Sequence, residues 1–436
     1  VTAQRRHRIL VVLVGLGLAA LACTEEVTSP PACPAFCPGH QIVTVESVLA
    51  TAIDRDSSFA GYVTPQGAAV MLARSLLEVD SRPIFETQPI VTRWRIDTGT
   101  DTTTGPLFMD SIRLQLTVLQ RTTPARNLRL AFYRLPLGLD STTSFAALAP
   151  AFAGPPARVV NIDSLMAQPG LHDSITGDSV VSIDTVRRSA VVLLKFDTTQ
   201  IPFVPADSGR VALGVRVSAD SEASIALGTT EASEGPQITW YNRVDSAGVL
   251  LPRTAQTQSV RFDSFVFDPP EPPMDSTLVV GGVPSTRTMF RFHLPRNIRD
   301  STQVIRATLF LVPASPIGGL PSDTFFVLVR HLATDLGAKS PVATDTLGPR
   351  SNLLIPGNYD TLRIEVTDLI RLWQVDTTGV TAAFLQLFAA DRTDTTFVGG
   401  NEGATFTQVR FYSSRTPALR PSLRITFVPR YPFGAP

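Results

Sequence analysis

Lysine is almost missing from this chain: Lys195 and Lys339 are the only two in 436 residues, so the basic side chains are nearly all arginine. The 38 Lys and Arg meet 38 Asp and Glu, and the formal net charge is zero. That balance removes the global field that draws a protein to nucleic acid. The arginine bias fits a GC-rich coding sequence, in a chain also rich in Ala, Val, Pro and Thr. A bilayer span needs roughly 20 apolar residues, and the run from Ile9 to Leu21 stops at thirteen. Helical periodicity is scarce as well. Its best instance is Asp368 to Trp373, where Thr367 or Asp368 is placed to cap and Leu369 to stack on Trp373. No G-x-S-x-G, P-loop or H-E-x-x-H motif is present. His40, His172, His293 and His331 are dispersed, with His293 on the surface side of its strand. These absences point to a protein that is not an enzyme, although carboxylates that meet only in space, as in glycosidases, leave no sequence signal.

What the chain does have is strand signal. Trp94 and Ile96 alternate with Arg93 and Arg95; Ile112, Leu114, Leu116 and Val118 alternate with Arg113, Gln115 and Thr117. Val211, Leu213, Val215 and Val217 repeat the pattern. A period of two with one apolar side marks half-buried strands, and Pro, Gly, Asp and Ser clusters punctuate them at short intervals. With 44 % hydrophobic residues available for a core, the expected fold is all-β: tandem antiparallel sandwiches of jelly-roll type. Trp94, Trp240 and Trp373 share the apolar phase of their segments and read as core. Tyr241 and Tyr412 fall on the polar phase and are the candidate stacking platforms for a ligand. Aspartate-rich turns at Asp54–Asp56, Asp97–Asp101 and Asp391–Asp394 offer oxygen ligands that suit calcium, but aspartate is also an ordinary turn residue. No cofactor is expected.

The two halves read as diverged copies. Arg93–Asp97 aligns with Arg291–Pro295, Ile112–Leu116 with Ile305–Leu309, Gly209–Leu213 with Gly379–Ala383, and Ile238–Trp240 with Ile425–Phe427. The order is kept throughout, which points to a duplicated sandwich. The expected division is a first sandwich at 42–243, a linker at 244–258 around the Asp245–Gly248 turn, and a second sandwich at 259–430. The first copy carries an excursion at about 138–180, a candidate partner or ligand surface.

Arg5, Arg6 and Arg8 followed by the Ile9–Leu21 run make residues 1–22 a secretory signal peptide. Ala20-Leu21-Ala22-Cys23 resembles the bacterial lipoprotein box, which implies lipidation of Cys23 and, with Thr24 next, an outer-membrane address. Ordinary cleavage at Ala20-x-Ala22 is the alternative and would secrete the protein. The chain has three cysteines. Lipidation takes one and leaves Cys33 and Cys37 to pair in an oxidising compartment. With His40 they supply only part of a zinc set, so a small disulfide loop is the preferred reading. Residues 23–41, rich in Pro and Thr, read as the tether.

In the second copy, Leu278–Gly281 leads to Phe290–Pro295 and Ile305–Leu311. Then follow Ile364-Glu-Val-Thr-Asp-Leu-Ile-Arg-Leu-Trp373 and a closing Ser413-Ser414-Arg415 before Arg420-Pro421-Ser422-Leu423. On these residues, 276–428 resembles the DNRLRE-type domain, related to a carbohydrate-binding module family and common in modular surface proteins. The resemblance implies a jelly-roll sandwich, with sugar binding in some relatives. The expected protein is therefore a non-catalytic envelope lipoprotein that binds glycan or another extracellular polymer. A structural or adhesion scaffold for a protein partner is the alternative, and a glycan-active enzyme with a cleft between the copies is a third reading.

Overall fold

A computed structural model describes residues 44–429 apart from 65–69, 76–78, 98–101, 122–124, 185–188, 247, 269–275, 283, 320–323, 344–347, 377–378, 390–401 and 403–405. The leader, the tether, Cys23, Cys33, Cys37, His40 and the Asp391–Asp394 turn lie outside the described residues. The strands begin with β1 (Val45–Leu49), β2 (Ile53–Ala60), β3 (Val70–Ser75), β4 (Asp80–Thr87), β5 (Arg93–Asp97), β6 (Thr102–Arg121) and β7 (Arg129–Arg134). Next come β8 (Arg158–Asn161), β9 (Ser179–Asp184), β10 (Ser189–Phe196), β11 (Ala212–Ser218), β12 (Ala223–Gly228), β13 (Gln237–Ser246), β14 (Val249–Pro252) and β15 (Gln256–Phe267). The chain ends with β16 (Thr277–Gly281), β17 (Thr286–Phe292), β18 (Thr302–Leu311), β19 (Phe325–His331), β20 (Leu362–Glu365), β21 (Ala382–Ala389), β22 (Gln408–Tyr412) and β23 (Ser422–Pro429). Helices are few and short: α1 (Phe145–Ala153), α2 (Ile162–Ala167), α3 (Arg296–Asp300) and α4 (Thr367–Val375). The fold is all-β with antiparallel sheets, as the alternating pattern implies. On β6, Ile112, Leu114 and Leu116 are buried, and on β23 so are Leu423, Ile425 and Phe427.

The second half is a sandwich of two sheets, one ordered β1-β23-β18-β20, the other β19-β21-β17-β16-β22 with β2 added on β17. In the first half a 13-stranded sheet runs continuously. The difference lies in one strand. β15 is unbroken and pairs first with β13, then with β4, whereas β1 and β2 split the same work across a turn and stay in separate sheets.

The ladder registers match between the halves. Ile238 faces Leu114 and Thr239 faces Arg113 on β6, just as Ile425 faces Ala307 and Thr426 faces Arg306 on β18. One sequence correspondence is corrected. β11 sets Ala212 opposite Glu86 and Leu213 opposite Phe85, while β21 sets Ala382 opposite Arg291 and Ala383 opposite Phe290. The counterpart of β17 is therefore β4, not Arg93–Asp97, which instead forms a hairpin with the start of β6. β4 is buried on both faces, so it has no alternation for a sequence reading to find.

The boundaries also differ from those expected. Residues 244–258 do not form a bare linker: they hold the end of β13, all of β14 and the start of β15. Asp245 Oδ1 accepts the Gly248 amide at 2.8 Å, closing the β13–β14 turn. β2, near the start of the first half, pairs along β17 from Ala60–Thr286 to Ile53–Phe292. β15, which opens the second half, pairs with β4. The strand that opens each half thus completes the sheet of the other.

The 138–180 excursion is built structure. Its helix α1 buries Leu148 and Phe152 against Ile84, Tyr133, Ala212 and Val266. Ser144 caps it by accepting the Ala147 amide at 3.2 Å, and Arg82 lies over the Phe145 and Phe152 rings at 4.4 and 4.6 Å. Phe152 sits so close to Gly214 that a Cβ there would lie 2.3 Å from its ring. Gly214→Val is expected to cost about 1–3 kcal/mol by overpacking. In thermal melts its penalty should be less than additive with that of Phe152→Leu, which opens the same space.

Candidate functional site

Alternation along three strands of the four-stranded sheet places one set of side chains inward and another outward. Leu309, Ile364, Leu423 and Ile425 are buried. Arg306, Thr308 and Phe310 from β18, Arg363 and Glu365 from β20, and Arg424 and Thr426 from β23 line a groove on the outer face. Glu46 of β1 joins them, with Arg350 and Asn352 from the chain between β19 and β20, and the groove encloses about 430 Å³.

Cross-strand register fixes its geometry. Arg363 stands opposite Phe310, Glu365 opposite Thr308, and Arg424 opposite Thr308 on the other side. The Arg424 and Arg363 guanidiniums lie 5.1 and 5.7 Å from the Phe310 ring centroid, within reach of a cation–π contact. Arg350 stacks on Phe326 at 4.9 Å. Arg306 Nε donates to Glu365 at 2.9 Å, and Arg424 Nε meets Glu46 at 3.2 Å. Burial pushes the Glu365 carboxyl up, but hydrogen bonds from Thr367 and Arg306 outweigh it and hold it below the ordinary carboxylate range. Thr367 is thus engaged with Glu365 and with the Ala307 amide rather than capping α4, whose N-cap is Val366. Among the described residues Arg350 and Arg363 have no ion pair. Two stacked guanidiniums, with hydroxyls and an amide beside them, are equipped to take carboxylate or sulfate oxygens in pairs.

The tyrosines singled out in the sequence sit elsewhere. Tyr241 is 36 % exposed on β13 with Arg113 at 5.4 Å, while Tyr412 is half-buried on β22 and raises the phenol of its neighbour Tyr359. Neither lines the groove, and they belong to different sheets. Trp240 and Trp373 are core, and Trp94 is half-buried against Ile96, Leu107 and Val244. Asp56 accepts the Ser414 amide at 2.5 Å, and no cluster of three His, Cys, Asp or Glu side chains suited to a metal occurs among the described residues. Sequence reasoning sought platforms only among Tyr and Trp and passed over Phe310, although it occupies the polar phase of Arg306-Ala-Thr-Leu-Phe310. Among the described residues no helix is long and apolar enough to cross a membrane. No protein-family model and no curated protein sequence matches the chain.

Proposed function

We propose that the protein is a non-catalytic binding module that holds an acidic polysaccharide, or a comparable anionic extracellular polymer, in the groove across β18, β20 and β23. The observation that carries this reading is the pair of guanidiniums with no ion pair among the described residues, Arg363 on Phe310 and Arg350 on Phe326. Four arginines against two glutamates leave the groove cationic, and both glutamates are held by arginines rather than poised for acid–base work. A sheet face studded with stacked arginines suits an extended chain with repeated charges. The DNRLRE-type resemblance agrees with a sugar ligand. The leader and Cys23 agree with a lipid anchor in the envelope, with Cys33 and Cys37 as a disulfide in the tether.

Affinity electrophoresis of the full chain in gels containing a polyuronate or a neutral glucan tests the reading. Retardation is expected with the polyuronate alone, weakening as salt screens it. Arg363→Ala and Arg350→Ala should each reduce affinity about tenfold, the equivalent of 1.4 kcal/mol. Equal retardation in both gels, or none lost in the variants, would refute it. One feature favours the scaffold reading instead. β14 is an edge strand on which Val249, Leu250 and Leu251 are all exposed, and such an edge invites pairing with another protein.

A further inference from the structure

The sheet face that carries the groove has a counterpart in the first half. There β6, β13 and β10 stand to one another as β18, β23 and β20 do. Arg113 of β6 takes the place of Arg306, and Thr239 of β13 takes that of Thr426. The faces differ in how the arginine is neutralised. Arg306 donates to Glu365 at 2.9 Å, and Glu365 stands opposite Thr308. The counterpart of Thr308 is Gln115, and Leu193 stands opposite it. Arg113 has therefore lost its acid. Directly across from it on β10 stands a second cation, the exposed Lys195.

Among the described residues neither Arg113 nor Lys195 has an ion pair. Like charges opposed across a ladder destabilise a sheet, and the acids beside them along the chain are already engaged. Asp110 is held by Arg243 at 2.5 Å. Asp197 accepts the Thr199 and Gln200 amides at 2.8 and 2.9 Å. Asp178 accepts the Lys195 amide at 2.8 Å, but its carboxylate is paired with Arg158 at 2.5 Å.

What surrounds the two cations is polar and aromatic. Lys195, Arg113, Thr239 and Thr257 form one row across β10, β6, β13 and β15, with the two threonine hydroxyls bonded at 3.0 Å. The exposed Tyr241 ring lies 5.4 Å from the Arg113 guanidinium, an aromatic beside an arginine as Phe310 is beside Arg363 and Arg424.

We propose that this face is a second site for the anionic polymer, with one carboxylate or sulfate seated between Arg113 and Lys195 and the adjoining sugar against Tyr241 and Thr239. A bound anion removes the repulsion that the empty sheet carries. Lys195 offers a point charge where the groove offers a second arginine fork, so this face is the weaker of the two. The ligand class rests on the reading of the groove, but either site can fail without the other.

Isothermal titration of the full chain with a uronic-acid hexamer tests it. Two hexamers per chain are expected, one bound at least about tenfold more weakly. Arg113→Gln with Lys195→Gln should remove the weaker event, and Arg350→Ala with Arg363→Ala the tighter one. Lys195→Glu gives Arg113 an acid across the ladder; it should abolish the weaker event while the thermal melt does not fall, which separates loss of the site from loss of the fold. A single hexamer per chain, lost with the groove arginines, overturns the second site and leaves the groove reading standing. A single hexamer lost only with Arg113 and Lys195 supports this site and refutes the groove. No binding overturns both, and a single-stranded oligonucleotide bound at this face as tightly as the hexamer overturns its assignment to sugar acids.

Discussion

A chain that begins at residue 61 is expected to lose hydrogen-exchange protection across β17 and β21 while β6 and β10 stay protected. β17 pairs with β2 on one side and β21 on the other; truncation leaves a whole row of its backbone groups unpaired and an interior strand at an edge. Each lost hydrogen bond costs about 0.5–1.5 kcal/mol net, and burial of Ala52 and Ile53 goes with them. Together these losses approach the roughly 5–15 kcal/mol that keeps a domain folded. The fragment 258–430, which the repeat boundaries suggest is autonomous, lacks β1–β2 for the same reason. One rescue follows: residues 44–60 supplied in trans. A fragment 258–430 that melts cooperatively, with no gain from the added strands, would show that they contribute nothing to the second sandwich.

The exchange marks where sequence reading stopped. Strands with one wet face, such as β6, β18 and β23, announce themselves by alternation, and their mutual register followed from the repeat. β4, buried on both faces, does not, and Arg93–Asp97 took its place in the alignment because it alternates well. Partner choice over long sequence distances was legible in principle: Arg55-Asp56-Ser57 and Phe262-Asp263-Ser264 share the Asp-Ser pair. The match, however, is only two residues long and lies ahead of the first correspondence of each copy, at Arg93 and Arg291. The groove was half legible. Arg306, Phe310, Arg363 and Arg424 lie on the polar phase of strands found in the sequence, but Arg350 arrives from an irregular segment whose path no periodicity reports. The Ser413-Ser414-Arg415 ending, noticed first as a family signature, is in the fold the seat of Asp56.

Glu86→Ala is expected to destabilise the first half by about 3 kcal/mol, near the lower end for breaking a buried ion pair. The carboxylate is fully buried and accepts from the Gly138 and Leu139 amides at 2.7 and 2.9 Å, from Arg261 at 2.7 Å and from Arg210 at 3.3 Å. It thereby fastens the start of the excursion and the bulge of β15 to β4. The two arginines are about one-third exposed and regain water when the carboxylate goes, which keeps the cost from running higher, but the two amides lose their acceptor. Burial pushes the Glu86 carboxyl up, yet the Arg261 hydrogen bond and the two amides outweigh it and hold it below the usual range. A folded value so depressed contributes stability that is complete above the unfolded value of about 4.3 and lost as pH falls through the folded one. Denaturant melts of wild type and Glu86→Gln should therefore differ most at neutral pH and converge below about pH 4. Asp263, raised by burial despite its bonds to Thr230, works with the opposite sign and weakens the fold as pH rises through its folded value, so Asp263→Asn should leave the acid convergence in place. A gap between wild type and Glu86→Gln that stays constant from neutral to acid pH would mean that the contacts of Glu86 do not depend on its charge.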